Sequence, residues 1–412
     1  MSFEFQYRQP EINIGVVGHV DHGKTTLVQA ITGIWTSRHS EELLRSMTIK
    51  VGYADTDIFE CPGRGLYERY VTDPIECQNP VYRRSISFVD SPGHEVLMAN
   101  MLSGAALMDS SLLVIAANEP CPQPQTREHF KALEIIGVKN IIVVQNKVDV
   151  VDRDRAKKNY EEIRSFLAGT FAENAPIIPV SALHKVNVDA LIVAMEELFK
   201  TPERDLSAKP VMFVARSFDV NRPGTPPDRL IGGVVGGSVT RGIFKVGDEI
   251  EISPGIRVTE GGKTMFRKLY TRIESIRFGE RSFKEAKPGG LVAIGTGLDP
   301  SLTKADRLVG SVVGLADQLP EPQTHLAVDY HLFERVVGTR ELQKVPPLRV
   351  GEKIMITAGT ATVMAVVKRL SADWFEADLV DKPVVSWKSM KVAISRNIMN
   401  RWRLVGWGVV KH

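Results

Sequence analysis

The segment Gly18-His-Val-Asp-His-Gly-Lys-Thr25 constrains this chain more than any other. Its G-x-x-x-x-G-K-T spacing is that of a phosphate loop. The apolar run Ile12-Asn-Ile-Gly-Val-Val17 before it reads as a buried strand, and Thr26-Leu-Val-Gln-Ala-Ile31 after it reads as a helix opening. A strand, a glycine-bearing turn and a helix N-terminus in succession aim backbone N–H groups at an anion. In that frame Asp21, His22, Gly23, Lys24, Thr25 and Thr26 line a polyphosphate. Lys24 is placed for the β- and γ-phosphates, and the Thr25 hydroxyl for Mg2+.

A second element names the base. Ile141-Ile-Val-Val-Gln145 reads as a strand and runs straight into Asn146-Lys-Val-Asp149. A carboxylate at Asp149 accepts two hydrogen bonds from guanine N1–H and its 2-amino group, donors that adenine lacks. Asn146 is placed for the N7 side, and the Lys147 stem for the face of the base. Further on, Ile177-Ile-Pro-Val180 leads into Ser181-Ala182-Leu183, whose backbone N–H groups are expected at guanine O6.

Between them lies Ile86-Ser-Phe-Val89, followed by Asp90-Ser-Pro-Gly-His94. An acid at a strand end is where Mg2+ is held in such sheets, which assigns Asp90. Gly93 offers a backbone N–H to a γ-phosphate, and His94 is placed to orient an attacking water. The sequence therefore predicts GTP and GDP as ligands with Mg2+ as cofactor, and GTP hydrolysis as the reaction.

Composition sets outer bounds. A chain of 412 residues, 43% hydrophobic and 25% charged, is globular and too long for one ordinary core. No apolar run is long enough to span a membrane, and Met1-Ser-Phe-Glu-Phe-Gln-Tyr lacks the pattern of a signal peptide, so a cytoplasmic location is expected. Three widely spaced cysteines argue against a disulfide framework. Net charge is only +3, but residues 323–412 carry 14 Lys and Arg against 8 Asp and Glu. Arg396-Asn-Ile-Met-Asn-Arg-Trp-Arg403 mixes arginine with an aromatic, a composition suited to phosphate contact or to a solvated strand edge.

The motifs, in this order, resemble those of the translational GTPases. Pro122-Gln-Pro-Gln-Thr-Arg-Glu-His129 is similar to the elongation factor Tu group. Gly33-Ile-Trp-Thr-Ser-Arg-His-Ser-Glu41, Met47-Thr-Ile-Lys-Val-Gly-Tyr53 and Ala182-Leu-His-Lys185 resemble one branch, the gamma subunits of archaeal and eukaryotic translation initiation factor 2. That resemblance implies Thr48 as the switch threonine on Mg2+ and adds Asp21 to the magnesium environment. It also implies alpha and beta subunits, methionylated initiator tRNA and the small ribosomal subunit as partners. The family's four-cysteine zinc knuckle is missing here. The corresponding insert, about residues 55–84, holds only Cys61 and Cys77, too few for a structural zinc site, so no zinc is expected. An elongation factor for all aminoacyl-tRNAs and a regulatory GTPase subunit of sulfate adenylylation share the nucleotide motifs and stay as rivals.

Organisation follows the same division. Up to about residue 207 strand-like and helix-like segments alternate, as in an α/β GTPase domain with a mostly parallel sheet. Helices are expected at 127–136, 154–168 and 188–200. Pro202 to Pro210 breaks the pattern, and short β-branched runs between glycines follow. Residues 208–322 and 323–412 each read as an antiparallel β-barrel domain, with a second break at Pro320 to Pro322.

Overall fold

The computed structural model describes residues 5–36, 52–91, 106–336 and 344–411. The chain divides into two compact units, one reaching Pro202 and one taking up the chain from Glu203.

The first unit is an α/β layer structure. Its strands are β1 (Asn13–Gly18), β2 (Gly52–Glu60), β3 (Tyr70–Val71), β4 (Val81–Asp90), β5 (Ser110–Ala116), β6 (Asn140–Asn146) and β7 (Ile177–Pro179). They form one sheet in the order β3-β2-β4-β1-β5-β6-β7. β4, β1, β5, β6 and β7 run parallel, while β2 pairs antiparallel with both β4 and β3. Helix α1 (Lys24–Thr32) follows β1, α2 (Pro124–Ile136) and α3 (Arg153–Leu167) form the crossovers from β5 to β6 and from β6 to β7, and α4 (Val188–Leu198) follows β7. Every residue of β1 and β5 is buried, as expected for central parallel strands covered on both faces. Alternate residues Ile12, Ile14 and Val16 share one core with Leu112, Val114, Ile142 and Val144. Leu27, Val28 and Ile31 of α1 and Leu191, Ile192 and Met195 of α4 complete it. β1 therefore exits between β4 and β5, where the chain leaves in opposite directions on its two sides, and ligands bind at such switch points.

The insert is largely an extension of the β2–β4 hairpin, paired from Gly52↔Asp90 out to Glu60↔Val81. Its tip corrects the reading of the cysteines. Cys61 and Cys77 form a disulfide, with Cα atoms 5.7 Å apart, and both are buried. They pack with Phe59 and Val71 against Phe5, Tyr7 and Tyr82. Spacing along the chain gave no sign of this. The hairpin doubles back through two short turns, and the aromatic cluster brings the sulfurs together. Glu60 lies on the same tip and pairs with Arg69 at 2.7 Å and Arg83 at 3.3 Å.

The second unit holds two barrels. In the first, β8 (Val211–Phe218), β9 (Val234–Arg241), β11 (Glu249–Glu260), β12 (Lys263–Phe278), β15 (Val292–Thr296) and β16 (Val312–Leu315) follow the order β11-β16-β8-β9-β15-β12, closed by β11–β12. β13 (Arg281–Phe283) extends β12 outside the ring, and β10 (Phe244–Lys245) pairs with β14 (Glu285–Ala286). Met212, Val214, Val235, Ile250, Ile273, Ile294 and Val313 fill it. The second is a closed six-stranded barrel, β17-β20-β19-β18-β21-β22. Its strands are β17 (His325–Leu332), β18 (Lys353–Ala358), β19 (Ala361–Leu370), β20 (Trp374–Leu379), β21 (Lys391–Ile398) and β22 (Arg401–Val410). The barrels meet closely. The Phe213 ring stacks on Trp387 with centroids 5.8 Å apart, and Lys382 Nζ donates to the Val309 carbonyl at 3.0 Å. Gly359 leaves no room for a side chain against the Phe213 ring.

Candidate functional site

The loop from β1 to α1 is shaped by residues with left-handed backbone. Gly18 has φ 142° and Gly23 φ 86°, and Asp21 takes φ 60° with its side chain exposed. A Cβ at Gly18 would overlap the Val114 carbonyl, so only glycine fits there. Lys24 is buried, and its ammonium donates to the His19 carbonyl at 2.6 Å, reaching back across the loop. Burial pulls its pKa down to about 8, against the pull of Asp90 and Asp21. Thr25 and Thr26 occupy the first turn of α1.

Histidines support the loop from beneath. The Gly18 N–H donates to His129 Nδ1 at 3.0 Å, and burial holds His129 well below the usual histidine range, so its ring is neutral. His22 is buried, with Nδ1 3.0 Å from the Val114 carbonyl and Nε2 3.5 Å from Glu119 Oε2. His19, half-buried beside His22, is lowered to about 4, mainly by burial.

Asp90 ends β4 fully buried. One of its oxygens accepts from the Thr25 hydroxyl at 2.7 Å and the Thr36 hydroxyl at 2.6 Å. Thr36 is a site residue that motif spacing missed. It reaches Asp90 because it packs on Gly52, the residue paired with Asp90 across the hairpin. Two hydroxyls around one carboxylate make a set of hard oxygens. Among the described residues no group of three or more His, Cys, Asp and Glu side chains converges as a metal cluster.

The base-side residues come together at the ends of β6 and β7. Asn146 is buried; its Nδ2 donates to the His22 carbonyl at 2.9 Å, and its Oδ1 accepts from the Ala182 N–H at 3.0 Å. It braces the phosphate loop against the 181–183 loop, which leaves its second amide hydrogen for a base. Lys147 takes φ 63° and starts the single turn Val148–Val150 that carries Asp149. A hydrogen bond from Ser181, chiefly, holds the Asp149 carboxyl below its usual range, and His184 Nε2 lies 3.8 Å away. The Ser181 N–H donates to the Val186 carbonyl at 3.1 Å. Two of the three backbone donors expected at guanine O6 are thus engaged by the protein, because a buried N–H must find a partner. Leu183 is 71% exposed. Thr48, Gly93 and His94 lie outside the described residues.

Residues 9–201 match the family model described as the elongation factor Tu GTP binding domain, and residues 324–410 match that described as initiation factor eIF2 gamma, C terminal. The translation initiation factor 2 subunit gamma of Aeropyrum pernix is 61% identical over 409 residues, 98% of this chain and 99% of that one. The chain belongs to the initiation factor 2 gamma family. The gamma subunits of Sulfurisphaera tokodaii and Methanocaldococcus jannaschii are 58% and 53% identical, the latter over 100% of both chains. Among solved structures, bacterial selenocysteine-specific elongation factor EF-Sec superposes with TM-score 0.75 at 24% identity, over 98% of this chain and 58% of that one. The elongation factor SelB of Methanococcus maripaludis, in complex with the GTP analogue GppNHp, gives 0.72 at 23% identity, over 99% and 80%. Both share the fold of the gamma-family chain, an α/β GTPase domain followed by two β-barrels. No helix among the described residues is long and apolar enough to cross a membrane.

Proposed function

We propose that this gamma-family GTPase carries methionylated initiator tRNA to the small ribosomal subunit, bound to alpha and beta subunits, with GTP hydrolysis switching it to a release state. The observation that carries this reading is the 61% identity with an initiation factor 2 gamma subunit over nearly the whole of both chains. Asp149 would read guanine N1–H and the 2-amino group, Asn146 the N7 side, Lys147 the base face, and Leu183 the O6 atom through its N–H. Lys24 and the backbone of residues 21–26 would hold the phosphates.

Mg2+ fits the oxygens gathered at Asp90. Thr25 and Asp90 would hold it, with Thr36 beside them, and the resemblance adds Thr48 and Asp21. An ion held by these residues would supply positive charge against the phosphates of the nucleotide. The Thr25 and Thr36 hydroxyls donate their hydrogens to Asp90, and a hydroxyl that donates in this way still has oxygen lone pairs to offer a cation. His94 would orient the attacking water. We place the domains at 1–207, 208–322 and 323–412, and expect a cytoplasmic location.

Filter binding of methionylated initiator tRNA and methionylated elongator tRNA, with GTP and with GDP, tests the assignment. Preference for the initiator species in GTP alone is expected. Equal retention of both tRNAs, or equal retention with both nucleotides, would overturn it.

A further inference from the structure

Glu119 belongs to no nucleotide motif, yet it lies under the phosphate loop. It follows β5 in a turn closed by its own N–H to the Ala116 carbonyl at 3.2 Å. Its carboxylate faces His22 Nε2 at 3.5 Å, while the other ring nitrogen meets the Val114 carbonyl at 3.0 Å. The two ring nitrogens of the buried His22 thus face oxygen atoms on opposite sides, one on β5 and one on the turn that follows it.

Glu119 is itself anchored. Its carbonyl accepts from Asn159 Nδ2 at 2.9 Å and from the Arg155 guanidinium at 2.6 Å, both on α3. Asn159 is fully buried, and its Oδ1 accepts from Gln145 Nε2 at 2.9 Å. Gln145 also donates to the Ala156 carbonyl at 2.7 Å and immediately precedes Asn146 on β6. Asn146 closes the circuit on the His22 carbonyl. The circuit joins the phosphate loop, the exit of β5, α3 and the base-reading end of β6. Side-chain contacts that bridge several elements in this way couple the positions of those elements.

We propose that Glu119 is a positioning residue: through His22 it holds the phosphate loop in register with Asn146 and so sets the dwell time of the bound guanine nucleotide. The proposal rests on the nucleotide site described above. The circuit contacts that site at His22 and Asn146.

The test is dissociation of a fluorescent GDP analogue, in excess Mg2+, from the full chain and from E119A, E119Q, H22A and the E119A/H22A double variant. E119A is expected to release GDP about tenfold faster, a loss of about 1.4 kcal/mol. Its unfolding midpoint without nucleotide is expected to match the wild type. E119Q keeps a polar group facing Nε2 and should release GDP at nearly the wild-type rate. The double variant should release no faster than H22A, because Glu119 acts through that ring. An unchanged rate in E119A, or additive effects in the double variant, overturns the proposal. Failure of the wild type to bind GDP would instead sink the nucleotide site itself.

Discussion

Gly23 and the side-chain amide of Asn146 are packed so closely that a methyl group at residue 23 would overlap Asn146 Nδ2. The phosphate loop and the base loop are thus fitted to each other at one point. Gly23 also needs φ 86°, which costs other residues about 1–3 kcal/mol. Gly23→Ala is therefore expected to weaken GTP and GDP alike by about tenfold or more, read by equilibrium titration. Selective loss of one nucleotide would contradict a shared junction.

Guanine selectivity is expected to rest on Asp149. Asp149→Asn removes an acceptor for two donors and should weaken GTP by about 1.5–3 kcal/mol while favouring xanthosine triphosphate. Competition binding measures both. Wild-type protein that bound ATP within a few-fold of GTP would argue against the assignment.

The Ser181 hydroxyl supports the charged form of that carboxylate, so Asp149 titrates below its ordinary value of 3.8. A lowered pKa keeps the acceptor ionised as pH falls. Preference for GTP over ATP is expected to stay flat from neutral pH to about 4. In Ser181→Ala the acid limb should move upward. Identical pH profiles for the two proteins would show that Ser181 does not tune the acid.

The disulfide spans 16 positions, and a cross-link closing a loop of about 15 residues contributes about 3 kcal/mol. Reduction, or Cys77→Ser, is expected to destabilise the first unit by about that much in denaturant titration, and chelators should have no effect. Elemental analysis should find zinc far below one equivalent. Near-stoichiometric zinc would mean that the sulfurs serve a metal instead.

Hydrolysis by the isolated chain is expected to be slow. No arginine lies in the sequence context of a built-in arginine finger, and such a group raises GTPase rates about 10³–10⁵-fold. His94→Ala should cut the partner-stimulated rate and leave GTP affinity nearly unchanged. Rapid turnover by pure protein would speak against this.

The parts of the site that were legible in the sequence are those whose chemistry is local. The phosphate loop, Asp90 and Asn146-Lys-Val-Asp149 each carry their signal within a few residues of a strand end. Helix positions were close for the same reason: 188–200 was expected and Val188–Leu198 is observed. What was missed depends on contacts distant in the chain. Thr36 meets Asp90 across 54 positions, and His129 meets Gly18 across 111. The Ser181 and Ala182 N–H groups looked available because their acceptors, Val186 and Asn146, are supplied by the folded loop. β11 and β12 are strands of 12 and 16 residues rather than the short β-branched runs expected, because the outer half of their hairpin is exposed and mixes charged with apolar residues. The disulfide belongs with these, as an aromatic cluster rather than spacing joins the two sulfurs.

The seam between the barrels has a mechanical consequence. Phe213 stacked on Trp387, the Lys382 ammonium seated on the Val309 carbonyl and the tight fit at Gly359 tie the two barrels along one seam. Parting them would unstack the aromatic pair and take the Val309 carbonyl away from the Lys382 ammonium, so the two barrels are expected to move as one piece.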